Sequence, residues 1–327
     1  GWITGSIVVM GIASWFLLKK REIKFALASI KVAALFGLIA SVLTLYTGDG
    51  SAHLVAQKQP MKLAAMEGFY EGKEGAGLVA AGLLNPLKES YDDGVDPFIF
   101  KIEIPKLLSF FAERDLKAYV PGITNLIEGG YPMKDGTTAL STEEKMKRGQ
   151  LAIQALANYK AAKKNRDEIT AEQSRIALEE NFAYFGYGYI KNSKELIPSV
   201  GLTFYAFRIM VLLGGFFILL FTVTLFLSYK NKFGNKRWLQ WICLISIPLA
   251  YIAGQAGWVV AEVGRQPWAI QDILPVSAAI SKLSTSSVQI TFFIFLALFT
   301  VLLIAELKIM FNTISNVLVR TKAATGK

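Results

Sequence analysis

Gly257-Trp258-Val259-Val260-Ala261-Glu262-Val263-Gly264-Arg265-Gln266-Pro267-Trp268 closes an apolar run over 238–261 with a carboxylate, a guanidinium and two tryptophans. A run of that length suits a membrane helix, because about 20 residues cross the hydrocarbon core. Charges at the edge of a bilayer are costly and tend to mark function. On a continuing helix Trp258, Glu262 and Arg265 fall at i, i+4 and i+7 and share a face. Pro267 breaks the helix, and Trp268 beyond it suits the headgroup layer. Read alone, the stretch is an interfacial helix end with a snorkelling arginine and an aromatic belt. Its surroundings decide whether Glu262 is more than that.

The same kind of run recurs. Of 327 residues 53% are hydrophobic, the mean hydropathy is +0.40, and the apolar residues come in blocks. Five blocks are long enough to span: 1–18, 25–46, 201–228, 238–261 and 286–312. This predicts an all-α integral membrane protein with five transmembrane helices and a long, partly helical outer loop. Its parts are two spans over 1–46, the loop 47–200, three spans over 201–312 and a tail 313–327.

The net charge of +10 resembles a nucleic-acid signal until it is placed on the chain. Region 47–200 holds 19 Lys+Arg against 21 Asp+Glu, and the remainder holds 16 against 4. The basic excess lies in short turns and the tail: Lys19, Lys20, Arg21 and Lys24, then Lys230, Lys232, Lys236 and Arg237, then Arg320, Lys322 and Lys327. This is the positive-inside pattern. It puts those turns and the C-terminus in the cytoplasm and 47–200, with 262–285, on the opposite side. No nucleic-acid partner is needed. Five spans with an inside C-terminus start Gly1 on the outer side. Without an initiator Met or signal peptide, the chain reads as a C-terminal piece of a longer protein. The single cysteine, Cys243, lies in a span and leaves no intrachain disulfide.

The outer region is too long for a passive connection. Helical composition recurs at 60–72, 105–117, 142–164 and 168–182, and no strand is expected. Glycine and proline breaks such as Gly129-Gly130-Tyr131-Pro132 and Asp135-Gly136 separate the helices. The run Tyr184-Phe185-Gly186-Tyr187-Gly188-Tyr189 either packs on a surface or lines a cleft, and packing is the expectation. Asp92, Asp93 and Asp96 around Gly94 lack the spacing of a calcium loop. His53, the only histidine, is expected to be solvated in the loop and excludes a His-based metal site or catalytic triad.

The third span carries Phe207-Arg208-Ile209-Met210. Arg208 lies about seven residues in, roughly 10 Å along a helix, and should face protein, a cavity or an anion. Met210 reads either as core packing or as an axial thioether on a haem iron, with Arg208 near a propionate. Both Met210 and Glu262 fall in the outer half of the membrane, next to the large loop.

Four places carry a resemblance to subunit I of the cytochrome bd-type quinol oxidases. They are Gly264-Arg265-Gln266-Pro267-Trp268 with Gly257-Trp258 and Ala261-Glu262 before it, Phe207-Arg208-Ile209-Met210, Lys62-Leu63-Ala64-Ala65-Met66-Glu67, and Gly1-Trp2-Ile3-Thr4-Gly5. The resemblance covers the last five of the family's nine spans. It implies that Met210 ligates a low-spin haem b with Arg208 beside it, and that Glu262 ligates a high-spin haem b. It further implies Trp258 packed between cofactors, Arg265 holding haem or the helix end, and Lys62 and Glu67 binding quinol and taking its proton. A third haem, d or b, and the second low-spin ligand fall to spans outside these residues.

The function so implied is quinol oxidation at the outer face and reduction of O2 to water, building a proton gradient in the bacterial cytoplasmic membrane. Partners so implied are a second large subunit, with or without a small single-span one, and membrane lipid. The fragment alone would be inactive. The rival readings are a non-redox transporter or channel using Arg208 and Glu262, and a scaffold in which Met210 only packs.

Overall fold

Long apolar runs form the frame. The computed structural model describes residues 1–133, 136–281 and 283–324, with side chains as far as 312. In chain order the elements are α1 (Trp2–Leu18), α2 (Ile23–Lys58), α3 (Pro60–Glu67), β1 (Lys73–Glu74), β2 (Leu78–Leu84), β3 (Phe98–Ile104), α4 (Leu107–Glu113), β4 (Tyr119–Val120), α5 (Ile123–Glu128), α6 (Thr142–Asn165), α7 (Glu168–Asn181), α8 (Val200–Tyr229), α9 (Arg237–Val263), β5 (Trp268–Ile270), β6 (Leu274–Pro275) and α10 (Thr285–Ala324). Among the described residues four helices, α2, α8, α9 and α10, are long and apolar enough to cross a membrane. The 17 residues of α1 reach about 25 Å at 1.5 Å per residue, at the short end of the spanning range.

The chain divides at residue 280. Within Gly1–Ala279, α1 packs on α2 and α9, and α8 packs on the same two, closing a four-helix ring. Its core holds Ile7, Met10, Ile30, Ala34, Phe217, Phe221 and Cys243. Small residues let the helices approach, as is usual where lipid offers no competing hydrophobic drive. Gly11 meets α9 so closely that a Cβ there would lie 2.7 Å from Ile247 Cδ1 and 3.0 Å from the Cys243 carbonyl. The turns after α1 and α8 lie together at one end, where Lys20, Lys24, Asn231 and Arg237 line a common cavity. The positive-inside turns therefore share one face of the ring. The second unit carries α10, whose helix runs on to Ala324 through most of the expected tail. Residues 325–327, Lys327 among them, lie outside the described residues.

The opposite end differs from expectation. The second helix continues to Lys58, roughly 54 Å in 36 residues, well past an about 30 Å hydrocarbon core. It stops because Gln59 precedes Pro60 and is held out of the helical region. Pro60 then opens α3 at a position where its missing N–H costs nothing. His53 is therefore on a helix rather than in a solvated loop, and its Nδ1 lies 2.7 Å from the Ala112 carbonyl of α4.

The outer region also contains strands, against the all-helical reading of that segment. β2 and β3 pair antiparallel from Leu78↔Ile104 to Leu84↔Phe98. β1 pairs β4 and β5 pairs β6. The alternating Phe98-Ile-Phe-Lys-Ile-Glu-Ile104 suits a half-covered strand.

The expected helices at 142–164 and 168–182 form as α6 and α7. Ser141 Oγ accepts the Glu144 N–H, and Asp167 Oδ1 accepts the Thr170 N–H. The aromatic run forms a 3-10 helix over Phe182–Tyr189 packed on α6, with the backbones of Gly149 and Gly188 in direct contact. Trp268 is not in a headgroup layer. It is 4% exposed, packed with Ile127, Ile190 and Leu196 and edge-on to Tyr187.

The packing at Gly11 yields a test. Gly11→Val should push α1 off α9 and cost about 1–3 kcal/mol, seen as a lower Tm of the purified membrane complex. An unchanged Tm would mean that the two helices do not meet there.

Candidate functional site

At the end of the ring opposite the basic turns, α3 lies across the ends of α8 and α9. Leu63 and Met66 bury themselves against Ala206, Ala256 and Val260. Glu67 is the last residue of α3, and Gly68 turns the chain away in the left-handed region at φ 60°. This geometry puts a carboxylate at 2% exposure under the loop.

Its partner comes from 141 residues along the chain. Arg208, two turns into α8, donates from Nη2 to Glu67 Oε2 at 2.6 Å and to the Val79 carbonyl at 2.8 Å. Its Nη1 donates to the Met66 carbonyl. The guanidinium also stacks on the Phe204 ring, 3.8 Å from its centroid. One side chain thus ties the end of α3, the strand β2 and the third span together. Burial of Glu67 outweighs the attraction of Arg208 and lifts its pKa to about 7. Two polar atoms of the pair, Glu67 Oε1 and Arg208 Nε, are buried with no hydrogen-bond partner among the described residues.

A second cluster gathers Lys62, Glu262 and Arg265. Lys62 Nζ donates to the Ala261 carbonyl at 3.4 Å, and its Cγ lies against Gly264. Arg265 Nη2 donates to Glu262 Oε2 at 2.6 Å. Burial and the neighbouring Arg265 hold Lys62 below the usual lysine range, against the pull of Glu262. Arg265 lies just past the end of α9 at Val263. The shared face expected of a continuing helix therefore becomes an i, i+3 ion pair across a turn.

Met210 sits two residues beyond Arg208 and faces another way. Its sulfur rests against α9, where a Cβ on Gly257 would lie 3.1 Å away. Trp258 is 62% exposed and points out of the chain. Arg208, expected beside a propionate, spends its two terminal nitrogens on α3 and β2.

The donor set fits haem. A thioether suits a low-spin haem iron. Glu262 is half-exposed, and its Oε1 makes no hydrogen bond among the described residues. Arg208 Nε and Arg265 Nε, both buried and unpartnered among those residues, are donors that a propionate would satisfy.

Sequence reasoning missed the closure of the loop on itself. Tyr187 donates to Asp272 Oδ1 at 2.8 Å, and Lys145 lies over the Tyr187 ring. The available signal was Asp272, a carboxylate in an otherwise uncharged segment after Arg265.

Known proteins match this chain. A family model described as cytochrome bd terminal oxidase subunit I covers residues 1–317. Cytochrome bd-II ubiquinol oxidase subunit 1 of Escherichia coli is 35% identical over 311 residues, which are 95% of this chain and 59% of that protein. Cytochrome bd ubiquinol oxidase subunit 1 of Bacillus subtilis is 26% identical over 279 residues, 85% of this chain and 46% of that protein. The structure of bd oxidase from Geobacillus thermodenitrificans superposes with a TM-score of 0.60 at 24% identity, covering 94% of this chain and 54% of that one. The chain thus spans about half the length of these relatives. It belongs to the cytochrome bd terminal oxidase subunit I family and is a mostly helical, multi-pass membrane protein.

The buried pair carries its own test. Glu67→Ala strands a buried guanidinium and should cost about 3–5 kcal/mol locally, read as faster hydrogen exchange over 60–84. Glu67→Gln keeps an acceptor for Arg208 and should cost less. Equal exchange in both variants and the parent would mean that the pair does not hold the loop.

Proposed function

We propose that, as a member of this family, the chain is the quinol-oxidising, haem-holding part of a bd-type terminal oxidase in a bacterial cytoplasmic membrane. Residues 47–200 face outward, and the basic turns face the cytoplasm. The observation that carries the reading is the buried Glu67–Arg208 pair, which joins the start of the outer loop to a helix two residues before Met210. Relatives named as ubiquinol oxidases and as a putative menaquinol oxidase support quinol as the substrate class.

Glu67 is the proton acceptor. Its free Oε1 is buried, and its pKa near 7 matches a group that takes and releases a proton at neutral pH. Arg208 fixes Oε2, so the carboxylate presents Oε1. Lys62, held below its usual range, donates a hydrogen bond to quinol oxygen and releases it readily. Haem, when bound, supplies the one-electron acceptor that quinol oxidation requires. Met210 would hold the low-spin haem b and Glu262 the high-spin haem b. Arg208 and Arg265 would stand at propionates, and Trp258 beside the macrocycle. Reduction of O2 to water, at a third haem of d or b type, belongs to the whole complex with its second large subunit and a small single-span one. Proton release outside then builds the gradient.

Two measurements on the assembled oxidase test this. The acceptor must be unprotonated, so kcat/KM for quinol should rise through about pH 7 and level off above it. Glu67→Gln should remove that limb and slow quinol oxidation while the haem bands persist. Met210→Ala should abolish the low-spin b band of the reduced-minus-oxidised spectrum, whereas an unchanged spectrum would make Met210 a packing residue.

A further inference from the structure

We infer that the cavity in front of Glu67 is the exit path for the quinol protons, with the carboxylates of Glu71 and Glu128 as relays at its mouth. The inference rests on the reading of Glu67 as proton acceptor. The cavity holds about 780 Å³, with Glu67, Phe69 and Val79 on its inner wall and Glu71 and Glu128 at its rim. Glu67 is buried, Oε1 has no partner among the described residues, and the residue lines this space. Both rim glutamates are solvent-exposed. The cavity therefore runs from a dry carboxylate to a wet pair.

The other charged groups around it are already engaged. Lys73 and Lys101 both bind Glu103, at 3.1 and 2.8 Å. Lys88 binds Asp93 at 2.7 Å. Asp92 faces Lys194, and Asp96 accepts the Phe98 N–H at 3.0 Å. Arg208 is held by Glu67 and two carbonyls. Among the described residues, Glu71, Asp96 and Glu128 are the lining carboxylates for which no ion pair is found, and of these Asp96 is held by the Phe98 N–H. Thr124 Oγ1 donates to Glu71 Oε1 at 2.9 Å and orients it. The carboxylates without ion pairs at the mouth set a negative potential that draws a proton outward from the buried site.

The chemistry balances without a further reactant. One quinol O–H bond breaks as an O–H bond forms on Glu67 Oε1. The proton then passes through cavity water to a rim carboxylate and on to bulk solvent. Glu67 is restored as a carboxylate and takes the second proton in the same way. The two electrons would leave one at a time to the haem that Met210 would hold, which would pass the first on before taking the second.

The test is the double variant Glu71→Gln/Glu128→Gln in the assembled oxidase, beside Glu67→Gln. Quinol turnover should fall several-fold in the double variant, with KM and haem spectra unchanged and a larger solvent isotope effect. A small diffusible buffer such as imidazole should restore part of the rate. Should the double variant not assemble, the two single variants at these exposed positions give the same reading. Turnover and isotope effect equal to the parent, with Glu67→Gln impaired, would overturn the relay alone. Normal turnover in Glu67→Gln would overturn the reading beneath it.

Discussion

A carboxylate and a guanidinium that meet away from water hold the outer half of this molecule to its membrane helices. Neither could be buried alone, because desolvating an unpaired charge costs several kcal/mol. Together they satisfy each other on one side only: Oε2 and both terminal nitrogens are bound, while Oε1 and Nε are left over. Arg208 also binds carbonyls on α3 and β2. Arg208 thus joins Tyr205, whose hydroxyl accepts the Leu84 N–H, in tying residues 60–84 to α8.

That constraint links the elements in order. The second helix overshoots the membrane, and Pro60 breaks it so that α3 can fold back over α8 and α9. Burying Leu63 and Met66 on those helices carries Glu67 inward and Lys62 toward Glu262 and Arg265. Farther out, Trp268, Tyr187 and Asp272 close the loop against the segment that follows α9. Lys62 and Glu67, the two residues proposed to meet quinol, thus both stand on one eight-residue helix.

Much of this was legible in the chain. Apolar runs located the long helices, because lipid demands length and composition and little else, but α2 runs on past 46 to Lys58 and α10 past 312 to Ala324. Charge placed the two basic turns on one end. Helix-forming composition located α6 and α7, which Ser141 and Asp167 cap. The site residues were named from motifs, yet their pairing was not. Glu67 meets Arg208 across 141 residues, and no local pattern encodes so distant a contact. The β2–β3 hairpin was missed because Leu78–Leu84 is rich in alanine and leucine and reads as helix. Trp268 was misassigned to the interface because its burial depends on residues from α5 and from the segment 182–197.

In the proposed mechanism Glu67 takes up the proton of quinol while Arg208 holds its other oxygen. A redox-induced infrared difference spectrum of the assembled oxidase, compared with that of Glu67→Gln, tests it most directly. The expected result is a carboxylic C=O band that responds to reduction by quinol and is missing in the variant. The same carboxylic bands in both proteins would contradict it.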